Sequence, residues 1–262
     1  MIGAIAGDII GSVYEGFPIK SKEFPLFNPD CRFTDDTVLT VAVADAIIRG
    51  CSYQDSIIEI GRLYPHAGYG GSFIRWLYSD DPRPYFSWGN GSAMRVSPVG
   101  FAFKTEEEVM IQARLTAEFT HNHPEGIKGA QATALTVFLA RKGYGKSQIR
   151  TRIKKDFGYD LDRNIEKIRD KYSFDISCQG TVPEAIISFL DSESYEDAIR
   201  NAVSLGGDSD TLACITGGIA EAFYGNVPRE ILKRVKEFLT PDLWKITEVF
   251  CGKYISSNGT DC

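Results

Sequence analysis

The chain has 262 residues, of which 43% are hydrophobic and 24% are charged, as in ordinary globular proteins. Its 35 acidic and 29 basic residues give a net charge of −6, which argues against a general nucleic-acid binder, because phosphate contacts need a basic face. No stretch approaches the roughly 20 apolar residues of a membrane span.

The cysteines and the N-terminus bear on the compartment. Six cysteines occur, none of them in a Cys-x-x-Cys pair, so neither a zinc ribbon nor a redox motif is expected. Cys214 lies in an apolar run, which favours a buried thiol. The N-terminus lacks a basic lead and a cleavage site. We therefore expect a cytoplasmic protein.

The N-terminal segment predicts a helix with a glycine strip. Gly3, Gly7 and Gly11 recur every four residues, which leaves a smooth face that another helix or a ligand can approach closely. Asp8, Gly11 and Glu15 have the spacing of residues on one helix face. Two interpretations stay open for the two carboxylates: the polar edge of a packing strip, or an acid or base beside a metal centre.

Helical periodicity continues along the chain. Apolar residues recur at helical spacing over 38–48 and 212–223, each time directly after an acidic motif. Three glutamates at 106–108 suit a helix N-terminus, and residues 129–140 predict a buried helix. Further helices are expected at 52–63, 183–190, 195–204, 228–239 and 241–255, with Pro183, Pro228 and Pro241 at or near their starts. No alternating pattern indicates a sheet, so the prediction is an all-α fold in one domain, 1–262.

Two regions interrupt this pattern. Residues 64–100 combine glycines, prolines and aromatic residues, and a loop of that length inside a compact domain is usually functional. Residues 154–175 are dense in charges of both signs, which favours a solvated helical excursion over a binding patch.

Two short acidic motifs indicate a metal site. They are Thr34-Asp35-Asp36-Thr37 and Asp208-Ser209-Asp210-Thr211, and each stands at the start of a predicted helix. Magnesium and manganese prefer such hard oxygen ligands, and clustered carboxylates repel one another unless a cation or a proton neutralises them. Gly206-Gly207 allows a tight turn into the second motif. Helix capping is the alternative for either motif alone.

Five motifs, taken together, resemble the ADP-ribosylglycohydrolase family, which includes the enzyme that reactivates ADP-ribosylated dinitrogenase reductase. They appear in the family's order, from near the N-terminus to about residue 225. The last motif has Ser209 where the family often has threonine, and the chain is shorter than many members. The matching stretches are Gly-Asp-Ile-Ile-Gly-Ser-Val-Tyr-Glu at 7–15, Thr-Asp-Asp-Thr at 34–37, Gly-Asn-Gly-Ser-Ala-Met-Arg at 89–95, Thr-His-Asn-His-Pro at 120–124 and Gly-Gly-Asp-Ser-Asp-Thr at 206–211.

The resemblance implies a compact orthogonal helical bundle that holds two magnesium ions, with manganese in some bacterial members. It also implies that Glu15 lies beside the metals and the scissile bond. The implied metal ligands are Thr34, Asp35, Asp36, Asp208, Asp210 and Thr211. The implied contacts to ADP-ribose are Gly89, Asn90, Gly91, Ser92 and His121.

The expected activity is removal of ADP-ribose from an ADP-ribosylated target, with ADP-ribose as product. Hydrolysis of a free ADP-ribose derivative and non-catalytic binding of ADP-ribose are the alternatives. Four neighbouring features have structural interpretations instead: Arg95 pairs with a carboxylate, His123 enters a helix, the aromatic rings of Trp76, Phe86 and Trp88 pack rather than stack on adenine, and Asp8 hydrogen-bonds the loop before a neighbouring helix.

Overall fold

The computed structural model describes residues 1–255, which form fifteen helices. Over this range no strand forms, and the isolated bridge is between Gly89 and Ser177. The all-α prediction is confirmed. The helices are α1 Ile2–Gly11, α2 Asp35–Arg49, α3 Tyr53–Leu63, α4 Gly71–Leu77, α5 Gly91–Met94, α6 Ser97–Ala102, α7 Glu106–Glu118, α8 Pro124–Arg141, α9 Lys146–Phe157, α10 Ile165–Arg169, α11 Cys178–Leu190, α12 Tyr195–Ser204, α13 Ser209–Tyr224, α14 Arg229–Phe238 and α15 Pro241–Tyr254.

The glycine strip of α1 packs against α13. A Cβ added to Gly7 would lie 2.0 Å from the carbonyl oxygen of Ala213, and one added to Gly11 would lie 2.5 Å from that of Ser209. Glycine is therefore required for the two backbones to approach this closely. Every residue of α1 is buried, so the open choice between a helix and a ligand is settled in favour of a helix.

Side-chain caps explain where several helices begin. The Thr34 hydroxyl accepts from the Asp36 amide at the start of α2, and Thr105 and Glu108 form a capping box on α7. His123 caps α8 through Nδ1, and Pro124 takes the first helical position. The predicted helix-entry role of His123 is confirmed.

Three boundaries differ from the sequence prediction. Helix α1 ends at Gly11, so Glu15 lies in the segment that follows and does not share a helix face with Asp8. Helix α11 begins at Cys178 rather than at Pro183, because Ser177 caps it and the proline is tolerated inside. The region 64–100 is also not one loop, since it contains the short helices α4, α5 and α6.

One connected cluster of buried apolar side chains runs through the fold. Cys214 belongs to it, as expected, whereas Cys262 lies outside the described residues. None of the helices within residues 1–255 combines the length and the apolar character that crossing a bilayer requires. The helices thus enclose an apolar core, and buried polar residues such as Asp36, Asp208 and Asp210 lie within the fold at the candidate site.

Candidate active site

The two acidic motifs meet at the N-terminal ends of α2 and α13. Thr211 Oγ1 donates to Asp36 Oδ2 at 3.2 Å, which joins the two motifs directly. One carboxylate oxygen from each of Asp8, Asp36 and Asp210 lies within 4.8 Å of the other two, and the same holds for Glu15, Asp208 and Asp210. The predicted convergence of the motifs is therefore present in the fold.

In the first motif, Thr34 caps the helix and Asp36 keeps one carboxylate oxygen without a partner in the described part of the chain. Thr34 Oγ1 accepts from the Asp36 amide at 3.3 Å and donates to Asp8 Oδ1 at 2.7 Å. Asp36 Oδ1 is buried and has no hydrogen-bond partner among the described residues. Since capping is done by Thr34, it does not account for the two carboxylates that follow.

Asp8 organises this end of α2 from the neighbouring helix α1. Its carboxylate accepts from the amides of Thr34 and Thr37 at 2.9 and 3.1 Å, and from the hydroxyls of both residues. These bonds confirm the expected hydrogen-bonding role. Asp8 also belongs to the carboxylate cluster, together with Asp36 and Asp210. The sequence analysis did not include Asp8 among the metal ligands.

The second motif follows a glycine turn. Gly206 and Gly207 adopt φ values of 68° and 78°, a region that glycine enters without a steric penalty. Asp208 occupies the N-cap position of α13, yet its side chain makes no capping bond. Instead, Asn90 Nδ2 donates to Asp208 Oδ2 at 2.7 Å and to Thr181 Oγ1 at 3.1 Å. Asn90, expected to contact a ligand, thus holds the carboxylate of Asp208 in place.

Burial and mutual repulsion make this cluster unfavourable when fully ionised. Burial, followed by the charge of Asp8, raises the pKa of Asp35 to about 8. Burial and neighbouring carboxylates also raise the pKa values of Asp36 and Asp210 well above their ordinary value. Carboxylates in such a group must share protons or be neutralised by cations.

Glu15 lies at the edge of the cluster and is partly open to solvent. Partial burial and then the charge of Asp208 raise its pKa, while Arg32 acts in the opposite direction. A carboxyl group beside the cluster whose pKa is raised is suited to proton transfer.

A cavity of about 410 Å³ is lined by all the carboxylates of the cluster except Asp8. Its other walls include Tyr85, Ser87, Ile176 and residues 66–68 and 70–73. All of these except Ile176 lie in the region 64–100, which the sequence analysis expected to be functional, but none of them was named as a site residue. Glycines inside a long aromatic-rich region were the available signal for 66–73. The predicted site residues that line the cavity are Glu15, Thr34, Asp35, Asp36, Gly89, Asn90, Gly91, His121, Asp208, Asp210 and Thr211.

Ser92 is the predicted ligand contact that the structure places elsewhere. Its side chain is fully buried, and the hydroxyl donates to the Gly126 carbonyl at 2.7 Å. It therefore ties the loop that begins at Gly89 to helix α8. Gly91 and His121 do face one another, because a Cβ on Gly91 would lie 3.1 Å from His121 Nε2.

Arg95 has the structural role expected of it, with a different partner. Its guanidinium is fully buried and donates to Thr116 O and Thr120 Oγ1 instead of a carboxylate. It also lies over the ring of Phe119, with 5.1 Å to the centroid. Burial lowers its pKa to about 10, which leaves it charged at neutral pH.

The three aromatic residues of this region divide into two groups. Trp76 is 4% exposed and packs against Phe73 and Phe119, as the packing interpretation expects. Phe86 and Trp88 are 55% and 53% exposed, and their rings flank His123 at 4.7 and 5.6 Å. The packing interpretation therefore holds for Trp76 but does not account for the open faces of the other two.

Comparison with known proteins places the chain in a family. The model of the ADP-ribosylglycohydrolase family matches residues 1–258. ADP-ribosylhydrolase ARH3 of Mus musculus is 27% identical over an alignment of 307 positions, which covers 86% of this chain and 82% of that protein. ADP-ribosylarginine hydrolase Tri1 of Pseudomonas putida is 23% identical, with 90% of this chain and 72% of that protein covered.

A solved structure shows the same fold. The chain described as an ADP-ribosylglycohydrolase-related protein complex superposes with a TM-score of 0.72 and 23% identity, and 96% of each chain is covered. The family match extends over every element that builds the cavity, from α1 to the start of α13. The chain is a hydrolase that belongs to the ADP-ribosylglycohydrolase family.

Proposed function

We propose that this protein is a magnesium-dependent enzyme that removes ADP-ribose from an ADP-ribosylated target by hydrolysing the bond at C1″ of the distal ribose. One observation carries the proposal: two distant acidic motifs and Glu15 converge in one cavity, with a buried carboxylate oxygen of Asp36 left without a partner. The named relatives, an ADP-ribosylhydrolase and an ADP-ribosylarginine hydrolase, support the substrate class.

The donor set fits two divalent cations. Magnesium prefers carboxylate, hydroxyl and water oxygens, and manganese accepts the same set. The ligands would be Thr34, Asp35, Asp36, Asp208, Asp210 and Thr211. Asp8 would hold the first motif in place through its four hydrogen bonds to Thr34 and Thr37. When bound, the cations would neutralise the cluster and bind the ribose hydroxyls.

Glu15 would manage the proton in this reaction. In hydrolysis the water oxygen bonds to C1″ as the bond to the leaving group breaks, one water proton moves to a base, and the leaving group gains a proton. Glu15 lies beside Asp208 and Asp210 at the cavity edge, and its raised pKa suits it to accept and return that proton. Orientation of the ribose by the surrounding residues would supply much of the rate.

The test is to offer the protein a panel of ADP-ribosylated compounds and to measure the ADP-ribose released. The panel contains peptides modified on arginine or on serine, a modified nucleobase and free ADP-ribose derivatives, each with magnesium, with manganese or with EDTA. Release that requires the metal supports the proposal, and the preferred compound names the target. Release only from free derivatives would favour the alternative activity.

Glu15→Gln should reduce release by a factor of about 10² or more, the usual contribution of a general acid or base. Glu23→Gln is the matched control, because Glu23 is an exposed carboxylate in the same segment. No release by the wild type from any compound, or release that neither EDTA nor Glu15→Gln affects, would contradict the proposal.

A further inference from the structure

Arg95 is a buried cation in the wall of the cavity. Its side chain is fully buried, and its hydrogen-bond partners are neutral: Nη2 donates to Thr116 O at 2.7 Å and to Thr120 Oγ1 at 2.8 Å. Nη1 has no hydrogen-bond partner among the described residues, and Arg95 forms no ion pair there, although the charge of Asp35 acts on the guanidinium. A buried cation of this kind polarises the groups that it bonds.

Thr120 passes this polarisation on to His121. Its hydroxyl oxygen accepts from Arg95 and lies 2.8 Å from His121 Nδ1, whereas the other acceptor within reach, Ala117 O, is 3.4 Å away. A hydroxyl has one hydrogen to donate. Because the oxygen already accepts from a cation, its hydrogen is the stronger donor, and the shorter contact leads to the imidazole.

We infer that Thr120, polarised by Arg95, donates to Nδ1 of His121 and so holds the imidazole hydrogen on Nε2, which faces the loop at Gly89 and Gly91. A Cβ on Gly91 would lie 3.1 Å from Nε2 and one on Gly89 would lie 3.5 Å away. The two glycines thus leave open the space in front of this nitrogen. Burial and Arg95 also lower the pKa of His121 well below its ordinary value, which keeps Nδ1 available as an acceptor.

This arrangement gives His121 a defined task in the cavity. With its hydrogen on Nε2, the imidazole is a neutral donor directed at an oxygen of the ligand, and it does not act as a base there. That task rests on the proposed function, since the ligand is taken to be ADP-ribose. Thr120, which does not line the cavity, is then a positioning residue that acts through His121, and Arg95 contributes to the same task by polarising Thr120.

Long-range ¹H–¹⁵N correlation spectra of the whole chain test the tautomer directly. The sequence contains only three histidines, so His66→Gln and His123→Gln assign the remaining ring. The expected result for the wild type is a protonated Nε2 and an unprotonated Nδ1 on His121. Hydrogen on Nδ1 of the wild-type ring would overturn the inference without any reference to activity.

Three variants test the role of the hydroxyl. Thr120→Val should populate the other tautomer and weaken ADP-ribose binding, measured by calorimetry, by roughly 3- to 10-fold, the loss of one hydrogen bond. Thr120→Ser, which keeps the hydroxyl, should have the tautomer and the ADP-ribose affinity of the wild type. Thr116→Val, in the last turn of α7 just before Thr120, is the matched control, because Arg95 bonds the carbonyl of Thr116 and the hydroxyl of Thr116 donates to Ala113 O.

The possible failures are distinguishable. Thr120→Val with the tautomer and affinity of the wild type would contradict the role of Thr120. A wild type that shows the expected tautomer but does not bind ADP-ribose would contradict the ligand and, with it, the proposed function. Should Thr120→Val fail to fold, the wild-type spectrum and the Thr120→Ser variant still decide the tautomer.

Discussion

Thr211 and Asp36 form a hydrogen bond of 3.2 Å that joins the first turns of α13 and α2. The carboxylate of Asp36 uses one oxygen for this bond and buries the other without a partner. Both helix ends therefore direct oxygen atoms toward one point. The raised pKa values of Asp36 and Asp210 show that their ionised forms are unfavourable in this arrangement. A bound cation would remove that penalty, so the arrangement is the one expected of a cation site.

Asp36→Asn should abolish most of the stabilisation that magnesium gives. The expected signal is a rise in the thermal midpoint of the wild type on titration with MgCl₂, since a ligand that binds only the folded state stabilises it by mass action. The rise should be much smaller in Asp36→Asn and in Asp208→Ala. Asp242→Asn is the matched control, because Asp242 is an exposed carboxylate in the first turn of α15. An equal rise in all four proteins would show that the ligands are placed wrongly.

Stability of the metal-free protein should fall as the pH rises through the range in which Asp35 loses its proton. The pKa of Asp35 is about 8 in the fold and about 3.9 in an unfolded chain. Between these values the folded state binds more protons than the unfolded state, so the free energy of unfolding decreases with increasing pH.

The measurement is chemical unfolding in EDTA at pH 6.5 and pH 8.5. Asp35→Asn should show a smaller decrease than the wild type, which separates this group from others that titrate in the same range. Magnesium should stabilise the wild type more at the higher pH, because the cation replaces the proton. A metal-free wild type that becomes more stable than Asp35→Asn as the pH rises would contradict the pKa direction.

The local structure was largely predictable from the sequence. Helix α12 lies at 195–204 as expected, and α3, α14 and α15 begin or end within a residue or so of their predicted limits. Periodicity and capping residues act over a few positions, so they can be recognised from the sequence alone. The glycine strip of α1 could also be predicted from the sequence. Its partner α13 could not, because that contact joins segments far apart in the sequence.

The detail of the site depended on such distant contacts. The spacing of Asp8 and Glu15 suggested one helix face, yet the helix ends at Gly11 and Glu15 lies in the segment that follows, at the cavity edge. The charged region 154–175 was expected to be a solvated excursion. Its charged side chains are indeed exposed or half-buried, but its last residues also support the second motif. Lys20 donates to the Tyr172 and Leu205 carbonyls, and the backbone at Phe174 lies close to Gly207.

Asp8→Asn should destabilise the protein by about 2–4 kcal/mol, as expected when buried donors lose a charged acceptor. The carboxylate accepts from two amides and two hydroxyls at the start of α2. An amide group replaces one acceptor oxygen by a donor, which faces other donors. Urea unfolding gives the change in free energy, and Asp30→Asn, an exposed loop carboxylate, should change it by less than about 0.5 kcal/mol. Equal effects of the two substitutions would show that Asp8 does not brace the motif.

Gly7→Ala should separate α1 from α13 and loosen the site at the same time. The added Cβ would lie 2.0 Å from the carbonyl oxygen of Ala213, a backbone atom that cannot move without its helix. We expect a loss of about 2–4 kcal/mol from this overpacking, measured by urea unfolding, together with weaker magnesium stabilisation, because Asp8 is carried by the same turn of α1.

Gly252→Ala is the matched control for that prediction. Gly252 is also a helical glycine, in α15, but a Cβ there meets no atom within 4 Å. Alanine should therefore stabilise the protein slightly, by up to about 1 kcal/mol, through its higher helix propensity. The opposite signs follow from one difference, the presence or absence of a facing backbone. If Gly7→Ala were as harmless as Gly252→Ala, the close approach of α1 to α13 would not be what positions Asp8 against the first acidic motif.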